Sequence, residues 1–236
     1  GREALEGAGA FEAIGDELVG EGEDGVVLID VGFSDGDAVA REGVLCGGDG
    51  ALEGFEELVR VGEGFARLSP ADHLEIHFDI DFTDAAIGHQ EKQLDMANGT
   101  FLHELMDSRT FCRQSDVIQM QKNGLALGGT YLNAVVIDGD RVLSPGGLRH
   151  EDEAVRHKML DAVGDLGLAG APLLARYTGH RAGHAMTNKL LRALFAQPDA
   201  WEWVTLTPAM ESRLPGAGVV AAAARIAPRV QELAVA

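Results

Sequence analysis

The sequence predicts an α+β fold in which two main helices pack on one layered sheet. Three observations lead to this prediction. Residues 74–82 alternate strictly between apolar and polar side chains, which is typical of a half-buried strand. Residues 155–166 carry apolar side chains at three- and four-residue steps, which indicates a helix with one buried face. A second helical stretch covers residues 183–195, and Pro198 ends it.

Composition and charge exclude several classes of function. The 236 residues suffice for one large domain or two small ones, and the net charge of −19 comes without a basic patch. Such a chain would be repelled by nucleic acid, so we exclude that partner. No run of 18 uncharged apolar residues occurs, which predicts no membrane span, and the start lacks a signal-peptide pattern. Only two cysteines, Cys46 and Cys112, are present, so we expect a reducing compartment, the cytoplasm.

Residues 1–57 differ in amino-acid composition from the rest of the chain. They hold 16 acidic residues, two arginines and 14 glycines, but no histidine. A short helix at 7–19 is conceivable, but glycine interrupts nearly every turn, and a poorly ordered acidic segment is the preferred interpretation. We therefore predict an unassigned, acidic, glycine-rich segment at 1–57, a domain at 58–206 and a C-terminal tail at 207–236. The tail contains an alanine-rich helical stretch at 221–226.

Within the domain, the first elements follow from periodicity. The polar face of the strand at 74–82 brings His73, Glu75 and His77 to one side. This trio has the residue types of a metal site, but the alternation continues with further acids, so a solvated polar face is preferred. Short helices are expected at 97–107 and 115–122, the second ended by Asn123-Gly124.

The middle of the domain predicts a hairpin followed by the long helix. Strands are expected at 125–130 and 134–138, and Asp138-Gly139 is a hairpin signal that leads to a strand at 141–143. The long helix should begin near His150, because acidic residues there face the positive end of the helix dipole. A strand near 174–178 separates the long helix from the last one.

The long helix carries the first candidate site residues. His157, Asp161 and Asp165 are each four residues apart, so they line one ridge of the helix. A histidine and a carboxylate one turn apart can offer two metal ligands from a single helix. The alternative is a solvated stripe, with Asp165 as an ordinary surface acid.

Two further islands combine polar and basic residues. One is Asp107-Ser108-Arg109-Thr110-Phe111, in which a hydroxyl follows a basic residue. The other is the stretch 183–189, where His184 opens the last helix and the dipole disfavours its charged form. Each has a structural alternative, since Arg109 could cap a helix and His184 could be a half-buried imidazole.

Taken together, these islands resemble the zinc-dependent UDP-3-O-acyl-N-acetylglucosamine deacetylases of lipid A synthesis. The matching segments appear in the family's order and spacing over about residues 58–206. They are Ser108-Arg109-Thr110-Phe111, residues 124–129, Arg141-Val142-Leu143, residues 147–166, Ala182-Gly183-His184-Ala185, Asn188-Lys189-Leu190-Leu191 and Ala200-Trp201-Glu202. The resemblance implies the second of the family's two similar domains.

The resemblance also implies roles for individual residues. His157 and Asp161 match two zinc ligands, so Zn²⁺ is the expected cofactor. His184 matches the catalytic histidine that protonates the leaving amine, and Asp165 matches the acid that orients and charges it. Thr110 matches the hydroxyl that hydrogen-bonds the developing oxyanion.

On the substrate side, the resemblance implies binding of a UDP-linked, 3-O-acylated glucosamine. Lys158 matches a basic residue that faces the phosphates, and Phe111 is expected at the substrate as well. Residues 124–138 resemble the insert that forms the apolar passage for the acyl chain. The implied reaction is hydrolysis of the acetamide, which releases acetate.

The chain departs from the family in its first 57 residues. The family's first domain brings a His-Thr-Val-Glu-His-type motif with the remaining zinc ligand and the general-base glutamate, and residues 1–57 contain neither. We therefore expect this chain to be catalytically defective. The alternative is a non-catalytic module that binds nucleotide-sugar or acyl chains. Three hypotheses account for the departure, in order of preference: out-of-frame translation of the upstream region, a degenerate one-domain paralogue, and assembly with a second protein that supplies the missing ligand.

The departure has a physical consequence for the long helix. The family's second domain packs its helices against those of the first. Without that partner we expect Leu160, Val163 and Leu166 to form an exposed apolar ridge, which predicts self-association.

Overall fold

The computed structural model describes residues 42–46 and 57–217. The predicted helices at 7–19 and 221–226 lie outside the described residues. The strands are β1 Glu42–Cys46, β2 Glu57–Val61, β3 Gly64–Pro70, β4 Glu75–Asp81, β5 His89–Asp95, β6 Phe111–Arg113, β7 Val135–Asp138, β8 Arg141–Val142, β9 Leu173–His180 and β10 Trp201–Thr205. The α-helices are α1 Gln114–Lys122, α2 Glu153–Leu166, α3 His184–Phe195 and α4 Pro208–Glu211. Single helical turns lie at Phe101–Leu105, Gly167–Ala169 and Pro198–Ala200.

Strand β9 organises the seven-stranded main sheet. It pairs in parallel with β1 and β4, and antiparallel with β3. Antiparallel partners then extend the sheet, since β10 joins β1, β2 joins β3 and β5 joins β4. A separate three-stranded sheet contains β6, β7 and β8. The predicted α+β class is confirmed.

Helices α2 and α3 pack against the main sheet through their apolar faces. The alternation in β4 directs its apolar side chains inward, where Ile76, Phe78 and Ile80 are almost completely buried. From α2 and α3, the core receives Val155, Met159, Ala162, Val163, Leu166, Met186, Leu190, Leu191 and Leu194. This packing leaves the opposite, polar ridge of α2 available for chemistry.

Part of the acidic segment belongs to the sheet, namely β1 and Glu57, the first residue of β2. Strand β1 lies between β9 and β10, and its Val44 and Cys46 are fully buried. At the other end, Leu214 packs with Leu174 and Leu206. The fold thus includes residues on both sides of the predicted range 58–206.

Two predicted elements differ from the structure. The strand prediction for 125–130 is wrong, because these residues form turns in which Asn133 Nδ2 donates to the Gly128 carbonyl and the Thr130 amide donates to Asn133 Oδ1. The helix predicted at 97–107 shrinks to the turn at Phe101–Leu105, since Asn98 and Gly99 adopt positive φ and interrupt it. Helix α1, the hairpin of β7 with β8, and both main helices are confirmed within a few residues.

The polar face before and along β4 is not simply solvated, contrary to the preferred interpretation. His73 is 3% exposed, because Arg213 packs over it and donates to its Nε2 at 2.9 Å. Its Nδ1 lies 2.5 Å from the Asp72 carboxylate. Glu75 and His77 are half-buried. Neither belongs to a group of three potential metal ligands in the described residues.

The apolar ridge of α2 is buried, so the expectation of an exposed ridge is wrong. Val163 is 7% exposed and Leu166 is 3% exposed, and Leu160 packs partly buried against the same core. The core that α2 shares with the main sheet and α3 covers this face. Self-association itself stays a prediction. No helix among the described residues has the length and apolar character that crossing a membrane requires.

A buried hydroxyl pair joins the sheet to the start of α3. Tyr177 of β9 is fully buried, and its hydroxyl lies 2.9 Å from Thr187 Oγ1 in the first turn of α3. We predict that Tyr177→Phe lowers the free energy of unfolding by about 1–2 kcal/mol, because it leaves a buried Thr187 hydroxyl without this partner. Chemical denaturation followed by circular dichroism measures the change.

Tyr131→Phe is the matched control, because Tyr131 is exposed and loses only a 3.4 Å contact with Gln114. This control should change stability by less than about 0.5 kcal/mol. Equal effects of the two substitutions would contradict the assignment of Tyr177 as the link between sheet and helix.

Candidate active site

Helix α2 presents a ridge of four polar side chains at four-residue steps. They are Glu153, His157, Asp161 and Asp165. The side chains of His157, Asp161 and Asp165 are 16–18% exposed, so they are partly withdrawn from solvent but accessible from one side. The structure therefore brings the three predicted polar residues of this helix to a single surface, while Glu153, one turn earlier on the same ridge, is fully buried.

His157 and Asp161 face each other across one turn, with His157 Nε2 3.4 Å from Asp161 Oδ1. The other ring nitrogen, Nδ1, lies 3.2 Å from the Ser108 carbonyl oxygen. Because a carbonyl oxygen only accepts, Nδ1 carries the proton, and in the neutral ring Nε2 keeps its lone pair. A lone pair and a carboxylate oxygen then point at the same space, an arrangement that a proton or a cation between them stabilises.

These two atoms fit a zinc ion geometrically. Two ligands about 2.05 Å from a tetrahedral zinc ion lie about 3.3 Å apart, close to the 3.4 Å separation between His157 Nε2 and Asp161 Oδ1. A catalytic zinc takes three protein ligands, and within the described ranges no three His, Cys, Asp or Glu side chains are placed to hold a metal together. The residues present thus fit two of the three ligand positions.

His184 opens helix α3 and is held by Asp165. Its Nδ1 lies 3.0 Å and 2.9 Å from the two carboxylate oxygens of Asp165. This hydrogen bond is the main reason why the pKa of His184 is raised, against the opposing effect of burial. The negative charges of Asp165 and Asp161 raise the pKa further. The other nitrogen, His184 Nε2, lies 3.9 Å from Asp161 Oδ2.

Lys158 follows His157 on α2 and is almost completely buried, with 3% of the residue exposed. Its positive charge lowers the pKa of His184 and partly opposes the two aspartates. The charge of Lys158 therefore acts on the ring of the predicted catalytic histidine.

The segment Ser108–Phe111 forms the wall beside His157. Phe111 is buried, and its ring meets the His157 ring edge-on at 6.3 Å and the Phe82 ring at 5.4 Å. Thr110 is exposed, and its carbonyl accepts from the Val135 amide at 2.7 Å. The segment that carries the Thr110 hydroxyl is thus held by the ring contacts of Phe111 and by the hydrogen bond from the Val135 amide.

Glu153 holds this wall to the start of α2. Its fully buried carboxylate accepts from Arg109 Nε at 2.8 Å and from Arg109 Nη2 at 3.0 Å. It also accepts from the Arg109 amide at 3.0 Å and the Arg149 amide at 2.7 Å. Burial alone would raise the pKa of Glu153, but these hydrogen bonds outweigh it and the pKa is lowered, so the group stays ionised.

Within the predicted acyl-passage insert, residues 124–133 are mostly exposed and turn-rich, whereas the chain from Ala134 onwards enters the buried strand β7. Leu127 is 73% exposed and Leu132 is 72% exposed, with Tyr131 between them in the sequence. Apolar side chains at the surface are compatible with an apolar ligand, and the passage itself stays a prediction.

Sequence reasoning missed two components of the site. A place in the acidic first turn of the helix predicts only a dipole interaction for Glu153, and the sequence predicts no role for the Ser108 carbonyl. The spacing held a usable signal for Glu153, because it precedes His157 by the same four residues that separate His157, Asp161 and Asp165. No sequence signal identifies a backbone carbonyl as a partner.

The family model for UDP-3-O-acyl N-acetylglycosamine deacetylase matches residues 55–196, more than half of the chain. The chain belongs to this family. The matched region contains every predicted site residue.

Three curated relatives carry the name UDP-3-O-acyl-N-acetylglucosamine deacetylase. The protein of Phenylobacterium zucineum (strain HLK1) is 51% identical over 140 residues, which cover 59% of this chain and 48% of the relative. That of Shewanella sp. (strain W3-18-1) is 44% identical over 149 residues, or 62% and 49% of the two chains. That of Thioalkalivibrio sulfidiphilus (strain HL-EbGR7) is 43% identical over 156 residues, or 65% and 51%. The chain spans about half the length of the curated relatives it matches.

The His184–Asp165 pair predicts a shifted titration. In the metal-free chain, His184 should titrate above the ordinary value of 6.5, and Asp165→Asn should bring its pKa down towards that value because the main cause of the shift is removed. The pair stabilises the folded state fully below pH 6.5, and this contribution is lost as the pH rises through the folded-state pKa. Histidine NMR titration measures the pKa directly.

Asp140→Asn serves as the control, because Asp140 is exposed and is not among the causes of the His184 shift. A His184 pKa that stays unchanged in Asp165→Asn would show that the hydrogen bond does not set it.

Proposed function

We propose that this chain carries half of the active site of a zinc-dependent deacetylase that hydrolyses the acetamide of UDP-3-O-acyl-N-acetylglucosamine in lipid A synthesis. The observation that supports this most is the pairing of two units on adjacent helices: the ligand pair His157 and Asp161, and the charged pair His184 and Asp165. The names of the relatives supply the reaction and the substrate.

His157 and Asp161 would hold the zinc ion, which when bound lowers the pKa of water and polarises a carbonyl. The remaining steps belong to the chain's own side chains. Asp165 keeps one proton on His184 Nδ1 and raises the pKa of the ring, so the charged ring carries a second proton on Nε2, which it can give to the leaving nitrogen. The exposed Thr110 hydroxyl can donate to the oxyanion that forms at the attacked carbon.

Substrate binding would involve the charged and apolar groups around this centre. Lys158 contributes a positive charge that acts on His184, and such a charge suits a substrate with phosphate groups. Phe111 forms an apolar wall next to His157. The exposed leucines of the insert suit an acyl chain. The cytoplasm stays the predicted compartment for this reaction.

We also propose that the number of zinc ligands limits what this chain does alone. Two ligands on one helix bind zinc more weakly than three, and the 236-residue chain alone should therefore be defective in turnover. The same observation favours the alternative, a non-catalytic module that binds nucleotide-sugar or acyl chains. The two functions differ in one respect: a deacetylase half gains activity when the missing half is supplied, whereas a binding module does not.

A chimera tests this difference. The half of the Phenylobacterium zucineum relative that lies outside the matched region is joined to residues 42–217 of this chain, which keep β1 in the sheet. We predict that the chimera releases acetate from the substrate with added Zn²⁺, while the 236-residue chain alone releases none above background. In the chimera, His184→Ala should lower kcat by about 10²–10⁴-fold with little change in KM, because a general acid is lost.

His103→Ala in the chimera is the matched control, since His103 is an exposed histidine on the turn Phe101–Leu105. Full activity in His184→Ala would refute the role of His184. An inactive but folded chimera that still binds the substrate would favour the binding module.

A further inference from the structure

We propose that Glu153 is a positioning residue for His157 and that it acts through the peptide bond between Ser108 and Arg109. This inference rests on the proposed function, because it treats His157 as a metal ligand. Glu153 itself touches neither the ligand atoms nor the space between His157 and Asp161.

A single peptide group is hydrogen-bonded at both ends, to Glu153 at its N–H and to His157 at its C=O. The N–H of Arg109 donates to Glu153 Oε1 at 3.0 Å. The C=O of Ser108, which belongs to the same planar unit, accepts from His157 Nδ1 at 3.2 Å. Because Glu153 and His157 lie one turn apart on α2, the peptide spans the gap between them along the helix.

The charge of Glu153 strengthens the hydrogen bond between His157 and the Ser108 carbonyl. The carboxylate of Glu153 attracts the positive N–H end of the peptide, and hydrogen bonding at one end polarises the carbonyl at the other. A more negative Ser108 oxygen is a better acceptor for the Nδ1 proton of His157. That contact fixes the ring orientation and directs the Nε2 lone pair to the metal side. In many metal sites a carboxylate or carbonyl acts on a ligand histidine directly, whereas here the carboxylate acts through a peptide.

The surroundings make Glu153 suited to this role. The carboxylate is fully buried and has four donors: the Arg109 amide, two nitrogens of the Arg109 guanidinium and the Arg149 amide. The Arg109 side chain is in turn held by the Gly147 carbonyl at 2.7 Å. Neither the carboxylate nor the peptide can turn away without breaking several of these bonds.

Two substitutions separate the peptide contact from the ion pair. Glu153→Ala removes both, whereas Arg109→Met removes the guanidinium but keeps the Arg109 N–H and its acceptor. Long-range ¹H–¹⁵N NMR of the labelled, metal-free 236-residue chain, at a pH where His157 is neutral, reports which ring nitrogen carries the proton. His157→Gln assigns the signal.

We expect the wild type and Arg109→Met to show the Nδ1–H form of His157, and Glu153→Ala to show a mixture of the two forms. Titration with Zn²⁺ alone, followed at the His157 signal, should give about 10–100-fold weaker binding for Glu153→Ala than for Arg109→Met. If Glu153→Ala does not fold, Glu153→Gln replaces it, with a smaller shift in the same direction because the amide oxygen is an uncharged acceptor.

The proposal is overturned if the Glu153 variant keeps the Nδ1–H form and binds Zn²⁺ within twofold of Arg109→Met. It is equally overturned if Arg109→Met loses the Nδ1–H form to the same extent. A wild type that binds no Zn²⁺ at His157 contradicts the proposed zinc half-site, while the NMR comparison without metal still decides the role of Glu153.

Discussion

The buried contact between Glu153 and Arg109 is the constraint on which the candidate site depends. It joins the first turn of α2 to the Ser108–Phe111 segment. That segment is distant from α2 in the sequence, because it comes shortly after the turn Phe101–Leu105. Together with the hydrogen bond from His157 to the Ser108 carbonyl, this contact holds the segment against α2. A fully buried carboxylate is costly to desolvate, and only its four hydrogen bonds and the opposite charge make the position tolerable. Removing either Glu153 or Arg109 alone would therefore leave the other as an unpaired buried charge in the site.

Helix α2 serves two purposes because its two faces are chemically distinct. Its apolar face packs on the main sheet, which fixes the helix in rotation and along its axis. The opposite ridge then presents Glu153, His157, Asp161 and Asp165 at equal steps, each with a different partner. Helix α3, fixed by Tyr177 and Thr187, brings His184 to the last of these carboxylates. The ligand pair and the charged histidine are thus set by the packing of two helices on one sheet.

Much of this arrangement could be predicted from sequence, because strong periodicity fixes element type. The alternation in β4 and the helical spacing of α2 and α3 gave the fold class, and the four-residue steps placed three side chains on one ridge. The strand predicted at 125–130 failed because local hydrogen bonds of Asn133 favour turns over pairing. The prediction of an exposed apolar ridge on α2 failed because the core shared with the main sheet and α3 covers this face. The burial of His73 and the role of the Ser108 carbonyl depend on contacts between distant parts of the chain, which no local pattern contains.

The most direct test of the central contact is a double-mutant cycle with Arg109→Met, Glu153→Ala and the double variant. Chemical denaturation gives the free energy of unfolding of each. Breaking a buried pair on one side should cost about 3–5 kcal/mol. The account predicts that the double variant loses far less than the two single losses added together, with a coupling free energy above about 2 kcal/mol. Single losses that add to within about 0.5 kcal/mol would show that the two residues act independently, and would contradict the account.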